Sequence, residues 1–283
     1  MASADSAKAV FDDSHYAATP WRKVCRALQL GPRYYFWDLP RYFASRGRRN
    51  LPLWDPAALL NPFKEFRPGV PGSGALPPGY DEALARLAAA GVRLTIPRVR
   101  LEALLRLWWE ARAARGDVIE CGAYRGATSL LLALLGRLNG LRQAVLMLDT
   151  FAGMPAVSAY DFGRSSGEFR PPADQVELIR RQAEALGVAD RVEVHQGLFA
   201  DTFAALAARE LHFALVHIDA NIYQGTLQAC AFTIPRVSPG GAVVFDDYNG
   251  VCDLGARLAI DEYCAGQGVK PLPLSASSAY LRL

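Results

Sequence analysis

The chain reads as an α/β fold: an open, mostly parallel sheet with helices on both faces. Three observations predict it. Five short β-rich runs alternate with helical patterns over residues 117–265. Most of those runs are continuously apolar, as strands covered on both faces are. Carboxylates and glycines close the runs, where a doubly wound sheet opens its ligand crevice.

In chain order, residues 1–80 come first and differ from the rest. They carry 11 Lys/Arg against 6 Asp/Glu (+5), whereas residues 81–283 carry 20 against 22 (−2), giving +3 overall. That total is too weak to argue for nucleic acid. Aromatics crowd this stretch (Trp21, Tyr34, Tyr35, Phe36, Trp37, Tyr42, Phe43, Trp54). "RPGVPGSGALPPGY" (67–80) is dense in Pro and Gly and reads as a linker or irregular loop. The expected organisation is an N-terminal lid or appendage over 1–80 and one folded domain over 81–283. The same basic, aromatic composition also suits a surface anchor.

From Val99 to Arg115 the spacing of Leu101, Leu104, Leu105 and Trp108 is helical. The strands follow: "DVIEC" (117–121), "AVLMLD" (144–149), "VEVHQ" (192–196), "FALVHID" (213–219) and "GAVVFDD" (241–247). Helical patterns lie near 128–138, 174–187, 202–209, 224–234 and 254–265. Strand–helix alternation implies right-handed crossovers.

The five cysteines, Cys25, Cys121, Cys230, Cys252 and Cys264, show no C-x-x-C spacing, so free thiols in a reducing compartment are expected. The N-terminus lacks an apolar core, and the longest apolar run, "LLLALL" (130–135), is too short to span a bilayer. The expected localisation is cytoplasmic.

The chemistry gathers at the strand ends. The first strand runs into "ECGAYRGATS": Glu120 and Gly122 at the tip, Gly126 next, and Thr128 or Ser129 placed to cap a helix. Glycines there let backbone pass close to a ligand. Asp149 ends the second strand, where a carboxylate can accept ribose hydroxyls or cap a helix. Asp219 ends the fourth strand and Asp246–Asp247 the fifth. Three carboxylates at neighbouring tips repel unless protonated or bridged by a cation, and all-oxygen ligation suits Mg²⁺. The competing reading makes them turn formers in "DANIYQG" and "DDYNGVCDLG".

"GDVIECGAYRGATS", "LDTFAGMP", "GLFADTF", "IDANIYQGT", "PGGAVVFDDY" and "GARLAIDEY" resemble the motif series of the macrocin O-methyltransferase family, over roughly residues 92–270. The resemblance implies a class I, S-adenosylmethionine-dependent methyltransferase with a seven-stranded sheet, "VKPLPL" and "SAYLRL" supplying the last two strands and the final one antiparallel. It implies that Glu120, Gly122, Tyr124, Gly126, Asp149, Gly197 and Phe199 contact S-adenosylmethionine. Asp219, Asp246 and Asp247 would bind Mg²⁺. The implied reaction methylates a hydroxyl of a sugar or sugar-bearing secondary metabolite, in an enzyme expected to be a homo-oligomer.

One departure stands out. Where the family reads Asp-Gly-Asp, this chain has Asp219-Ala220-Asn221, and Asn221 in the base position cannot take a proton. The base then comes from elsewhere, with His217 and Asp161 as candidates. His217 shares a strand face with Asp219 one pleat deeper, which fits a hydrogen-bonded core histidine better than a base. A homologue that binds cofactor but has lost catalysis, acting as a partner or scaffold, is the rival reading. His195, His212, Cys121 and the Trp108–Trp109 pair are expected to be structural.

Overall fold

The computed structural model describes residues 10–11, 41, 44, 74–161, 164–250, 253–275 and 277–283. The lid, anchor and oligomerisation expectations for residues 1–80 therefore fall almost wholly outside the described residues, as do Cys25, Cys252 and the early aromatics. Among the described residues no helix is long and apolar enough to cross a membrane.

Helices α1 (Tyr80–Ala89) and α2 (Arg98–Ala111) precede β1 (Asp117–Cys121). Then come α3 (Ala127–Leu138), β2 (Val145–Asp149), α4 (Gln175–Leu186), β3 (Val192–Gln196), α5 (Phe199–Leu206), β4 (Phe213–Ile218), α6 (Tyr223–Thr233), β5 (Val237–Phe245), α7 (Leu254–Gly266), β6 (Leu272–Pro273) and β7 (Ala279–Arg282). The sheet order is β3-β2-β1-β4-β5-β7-β6. β1 to β5 pair in parallel and β7 runs antiparallel to β5. The predicted class and the antiparallel last strand both hold.

Strand alternation divides the core in two. Val118, Val145, Leu215, Ala242 and Val244 face the cluster built on α1, α2 and α3. Ile119, Leu146, Val216, Ile218, Val243 and Phe245 face the other, with Phe203 of α5, Cys230 of α6 and Ile260 of α7. Val10 also enters the first cluster, its carbonyl accepting from Leu94 N at 2.9 Å. Trp108 is buried there, Nε1 donating to Gln143 at 3.1 Å, so the pair with Trp109 packs as expected. Cys121, Cys230 and Cys264 are buried free thiols.

Three boundaries differ from the sequence expectation. α2 stops at Ala111 because the chain must turn back through Gly116 into β1. α5 runs over 199–206 rather than 202–209. β5 begins at Val237 rather than 241, because a register shift against β4 absorbs the Pro-Gly-Gly ahead of the expected strand.

Candidate active site

The tips of β1, β2, β4 and β5 lie side by side at the carboxyl edge of the sheet. At the β1 tip Gly122 has φ 99°, and a Cβ there would sit 1.9 Å from the Asp219 carbonyl oxygen. Gly126 (φ 75°) would press its Cβ to 2.9 Å from Ile179 Cδ1. Both glycines thus have a packing reason on the side where a Cβ would lie. The predicted Thr128/Ser129 cap is also corrected, since α3 begins with no side-chain cap bond. The Ser129 hydroxyl instead donates to Glu120.

Asp149 fastens this end. Oδ2 accepts from Tyr124 N at 2.8 Å and Oδ1 from Phe151 N at 2.7 Å, while its carbonyl accepts from Gly197 N at 3.0 Å. Asp149 precedes no helix, so the capping alternative falls away. Burial raises its pKa, opposed by the two backbone N–H groups. Tyr124 is held at φ 49°, its ring edge-on to Phe169 at 6.0 Å. Phe199, at the start of α5, stacks on Phe203 at 5.2 Å. Tyr124, Asp149, Gly197 and Phe199 therefore cluster around the β1–β3 tips.

Glu120 stands apart from that group. It pairs in register with His217 across β1 and β4, facing the α2–α3 side. Only 2% exposed, it takes the Ser129 hydroxyl on Oε2 and lies 3.0 Å from His217 Nδ1 through Oε1. In the structure its carboxylate is a buried partner of His217.

His217 is 0% exposed, which makes it the core histidine of the two readings and removes it as a base touching an acceptor. Its Nε2 has no hydrogen-bond partner and lies 3.9 Å from Asp246 Oδ1. Burial pulls its pKa down, but the carboxylates on either side outweigh burial and carry it up to about 10. At 3.9 Å the pull of Asp246 is charge across a gap rather than a formed hydrogen bond.

The two aspartates that follow β5 have different partners: Asp246 meets Arg100 of α2, and Asp247 meets Asn221. His217, Asp219 and Asp246 offer ligand atoms all within 4.8 Å of one another. Asp246 also receives the Arg100 guanidinium from the first turn of α2, on Oδ2 and, at 3.2 Å, on its carbonyl. Burial raises the Asp246 pKa, yet Arg100 and His217 lower it further, so the net direction is down. Asp219 goes the other way, pushed up to about 7 by burial and by the charge of Asp246.

Asp247 Oδ2 accepts from Asn221 N at 3.1 Å and Asn221 Nδ2 at 2.9 Å. Burial and the charges of Asp253, Asp219 and Asp246 raise its pKa well above the usual range. Asn221 has φ 58°, a left-handed conformation Asn tolerates. Asp161, the other base candidate, is occupied: Oδ1 takes Tyr223 N at 2.5 Å, at the start of α6, and Oδ2 takes Ser158 Oγ at 2.8 Å.

A divalent cation fits this tip. Asp219 and Asp246 offer carboxylate oxygens that converge on one point, with the ring of His217 beside them. Sequence reasoning missed Arg100. "RVRLEALLR" (98–106) offers Arg98, Arg100 and Arg106 around one apolar stripe, and nothing in the spacing says which meets β5.

Comparison with known proteins bears on the family and the fold. The sequence model of the family described as Macrocin-O-methyltransferase (TylF) matches residues 96–276. An 8-demethyl-8-(2,3-dimethoxy-alpha-L-rhamnosyl)-tetracenomycin-C 4'-O-methyltransferase of Streptomyces olivaceus is 32% identical over 163 residues, covering 54% of this chain and 60% of that protein. The match spans about three fifths of the length of the curated relatives (60%, 62% and 58%). Among solved structures, the O-methyltransferase NovP superposes with TM-score 0.57 at 25% identity, over 68% of this chain and 82% of that one. A calicheamicin methyltransferase superposes with TM-score 0.60 at 20% identity, over 83% and 95%, which bears on fold alone.

Proposed function

This chain belongs to the macrocin O-methyltransferase family, and from that premise we propose that it transfers a methyl group from S-adenosylmethionine to a hydroxyl of a sugar-bearing metabolite, with Mg²⁺ at the β4–β5 tip. The observation that carries the reading is the convergence of the Asp219 and Asp246 carboxylates, beside a glycine turn locked onto Asp149. The tetracenomycin relative's name, a methyltransferase acting on a rhamnosyl compound, supports a deoxysugar as substrate class.

In this reading Tyr124, Asp149, Gly197 and Phe199 line the cofactor end. Asp219 and Asp246 would hold the metal, with the second oxygen of Asp247 available from the far side. When bound, Mg²⁺ polarises a hydroxyl and lowers its pKa. The chain's own part is positioning, which supplies much of the acceleration in such displacements. Asn221 fixes Asp247 through two donated hydrogen bonds, and Asp247 stands within reach of Asp219. Glu120 and His217 brace the tip from beneath.

The test is turnover by the full chain on a panel of rhamnosylated and other deoxysugar-bearing acceptors. A mass gain of one methyl, lost in EDTA and restored by Mg²⁺, is expected. Cofactor binding without turnover on any hydroxyl acceptor would move the protein to the non-catalytic reading. No cofactor binding at all would overturn both.

A further inference from the structure

The reading of the β4–β5 tip as a cation site leaves one charge unexplained. Arg100 is not at the surface: its side chain is 11% exposed and that of Asp246 5%. Its Nη1 makes two contacts to the same residue, the Asp246 carboxylate and the Asp246 carbonyl. Nothing about packing α2 onto the sheet requires this. The neighbouring stripe of Leu101, Leu104, Leu105 and Trp108 already buries the helix face.

We propose that Arg100 is the standing counter-ion of Asp246, and that it sets how tightly the tip takes a divalent cation by competing with that cation for the charge of Asp246. The proposal rests on the cation reading above. The geometry gives Asp246 two sides. Oδ2 is held by Arg100, and Oδ1 faces His217 Nε2 and the Asp219 carboxylate group. A cation shared by Asp219 and Asp246 must therefore settle beside a fixed guanidinium. A like charge at that range disfavours a neighbouring charge as strongly as a shift of about 1–3 pH units in an ionisation. The same guanidinium keeps the cation-free tip from burying an unpaired carboxylate, which is costly. Arg100 thus trades cation affinity for a tip that stands without one. Asp247, by contrast, is met by the neutral donors of Asn221.

The experiment uses the full chain with Mn²⁺ as the probe, its binding read by electron paramagnetic resonance and by thermal unfolding with and without EDTA. Arg100→Met is expected to bind Mn²⁺ about tenfold tighter than wild type, the lower end of such charge effects. It should also melt lower in EDTA and gain more from Mn²⁺ than wild type does. Arg100→Lys keeps the charge and should stay near wild-type affinity. Should Arg100→Met fail to fold, Arg100→Gln carries the same test, since it keeps a donor for Asp246 and drops the charge. Equal or weaker Mn²⁺ binding by the neutral variants, with wild type binding normally, overturns the role of Arg100 and leaves the cation reading standing. Absence of Mn²⁺ binding by wild type and variants alike overturns the cation reading and this inference with it.

Discussion

At the β1–β2 end of the crevice, Asp149 is met by backbone: Tyr124 N, Phe151 N and, on its carbonyl, Gly197 N. At the β4–β5 end, Asp246 is met by a guanidinium, and Asp219 faces other carboxylates. Backbone donors are fixed by the fold, neutral and always present. Charges depend on pH, on salt and on whatever ion arrives. The first end is built once, with the sheet; the second is balanced anew in each solution condition. A pocket for an invariant cofactor suits the first construction, and a site that must admit a metal and release a product suits the second.

Breaking the joint between the two ends should have the largest effect. Gly122→Ala would thrust a methyl group to 1.9 Å from the Asp219 carbonyl at a backbone φ of 99°. Neither backbone can yield without parting β1 from β4, so we expect a loss of about 4 kcal/mol or more, in the exceptional range for point changes. Gly140→Ala is the control: also at positive φ (68°), but with nothing within 4 Å, it should cost about 1 kcal/mol. Chemical denaturation of both variants measures the difference. Equal losses would mean that the two tips are not joined at Gly122.

Next comes the charged end alone. Asp246→Asn leaves Arg100 buried without its counter-charge, and breaking one side of a buried pair costs about 3–5 kcal/mol. The loss should appear in EDTA as well as in Mg²⁺, whereas S-adenosylhomocysteine binding, measured by calorimetry, should stay within about threefold of wild type. Cofactor affinity falling in parallel with stability would show that the two ends are one unit.

What the sequence makes legible follows the same division. The strands and their acidic tips can be read because a continuous apolar run closed by Asp or Gly suits a buried strand tip and little else. Asp149 is found by its place after β2, although its partners are backbone. Neither spacing nor resemblance tells that residues 120 and 217 face each other in adjacent strands and satisfy one another. Arg100 gives no signal at all: it lies 146 residues from Asp246, and only the packing of α2 onto β5 brings them together. Local hydrogen bonding and period are written in the sequence; long-range charge pairing is not.

The pH dependence separates the ends next. Asp219 titrates at about 7 in the folded protein against an ordinary 3.8. A carboxyl whose folded pKa is raised contributes stability that is present below its unfolded pKa and lost as pH rises toward the folded one. In EDTA, therefore, the melting temperature should fall between about pH 4 and pH 7 from this group. Asp219→Asn should remove much of the slope, and saturating Mg²⁺ should flatten it, because the metal replaces the proton. A slope unchanged in Asp219→Asn would refer the titration to other groups. At the backbone-donor end, Asp149→Asn should cost about 1–3 kcal/mol through the weakened acceptor, with cofactor binding reduced alongside.

The smallest effect concerns Asn221. Asn221 is a neutral side chain among the acids of the β4–β5 tip, and it is there that the tip borrows the method of the other end, meeting Asp247 with a backbone N–H and an amide. Two features of position 221 can be separated by substitution. Asn221→Ala loses the Nδ2 hydrogen bond and also strains a φ of 58°, so about 2 kcal/mol is expected, roughly half from each cause. Asn221→Gly loses the hydrogen bond but keeps the backbone easy, so about 1 kcal/mol is expected. Asn221→Asp keeps a small polar side chain but sets a second carboxylate against Asp247, whose pKa burial and neighbouring acids already raise. In EDTA it should be the least stable of the three at about pH 8 and recover as pH falls and a proton bridges the pair. In Mg²⁺ that pH dependence should shrink. If Asn221→Asp matches wild type in stability under those alkaline, metal-free conditions, Asn221 does not hold Asp247, and the two hydrogen bonds are not what keeps the far carboxylate in place.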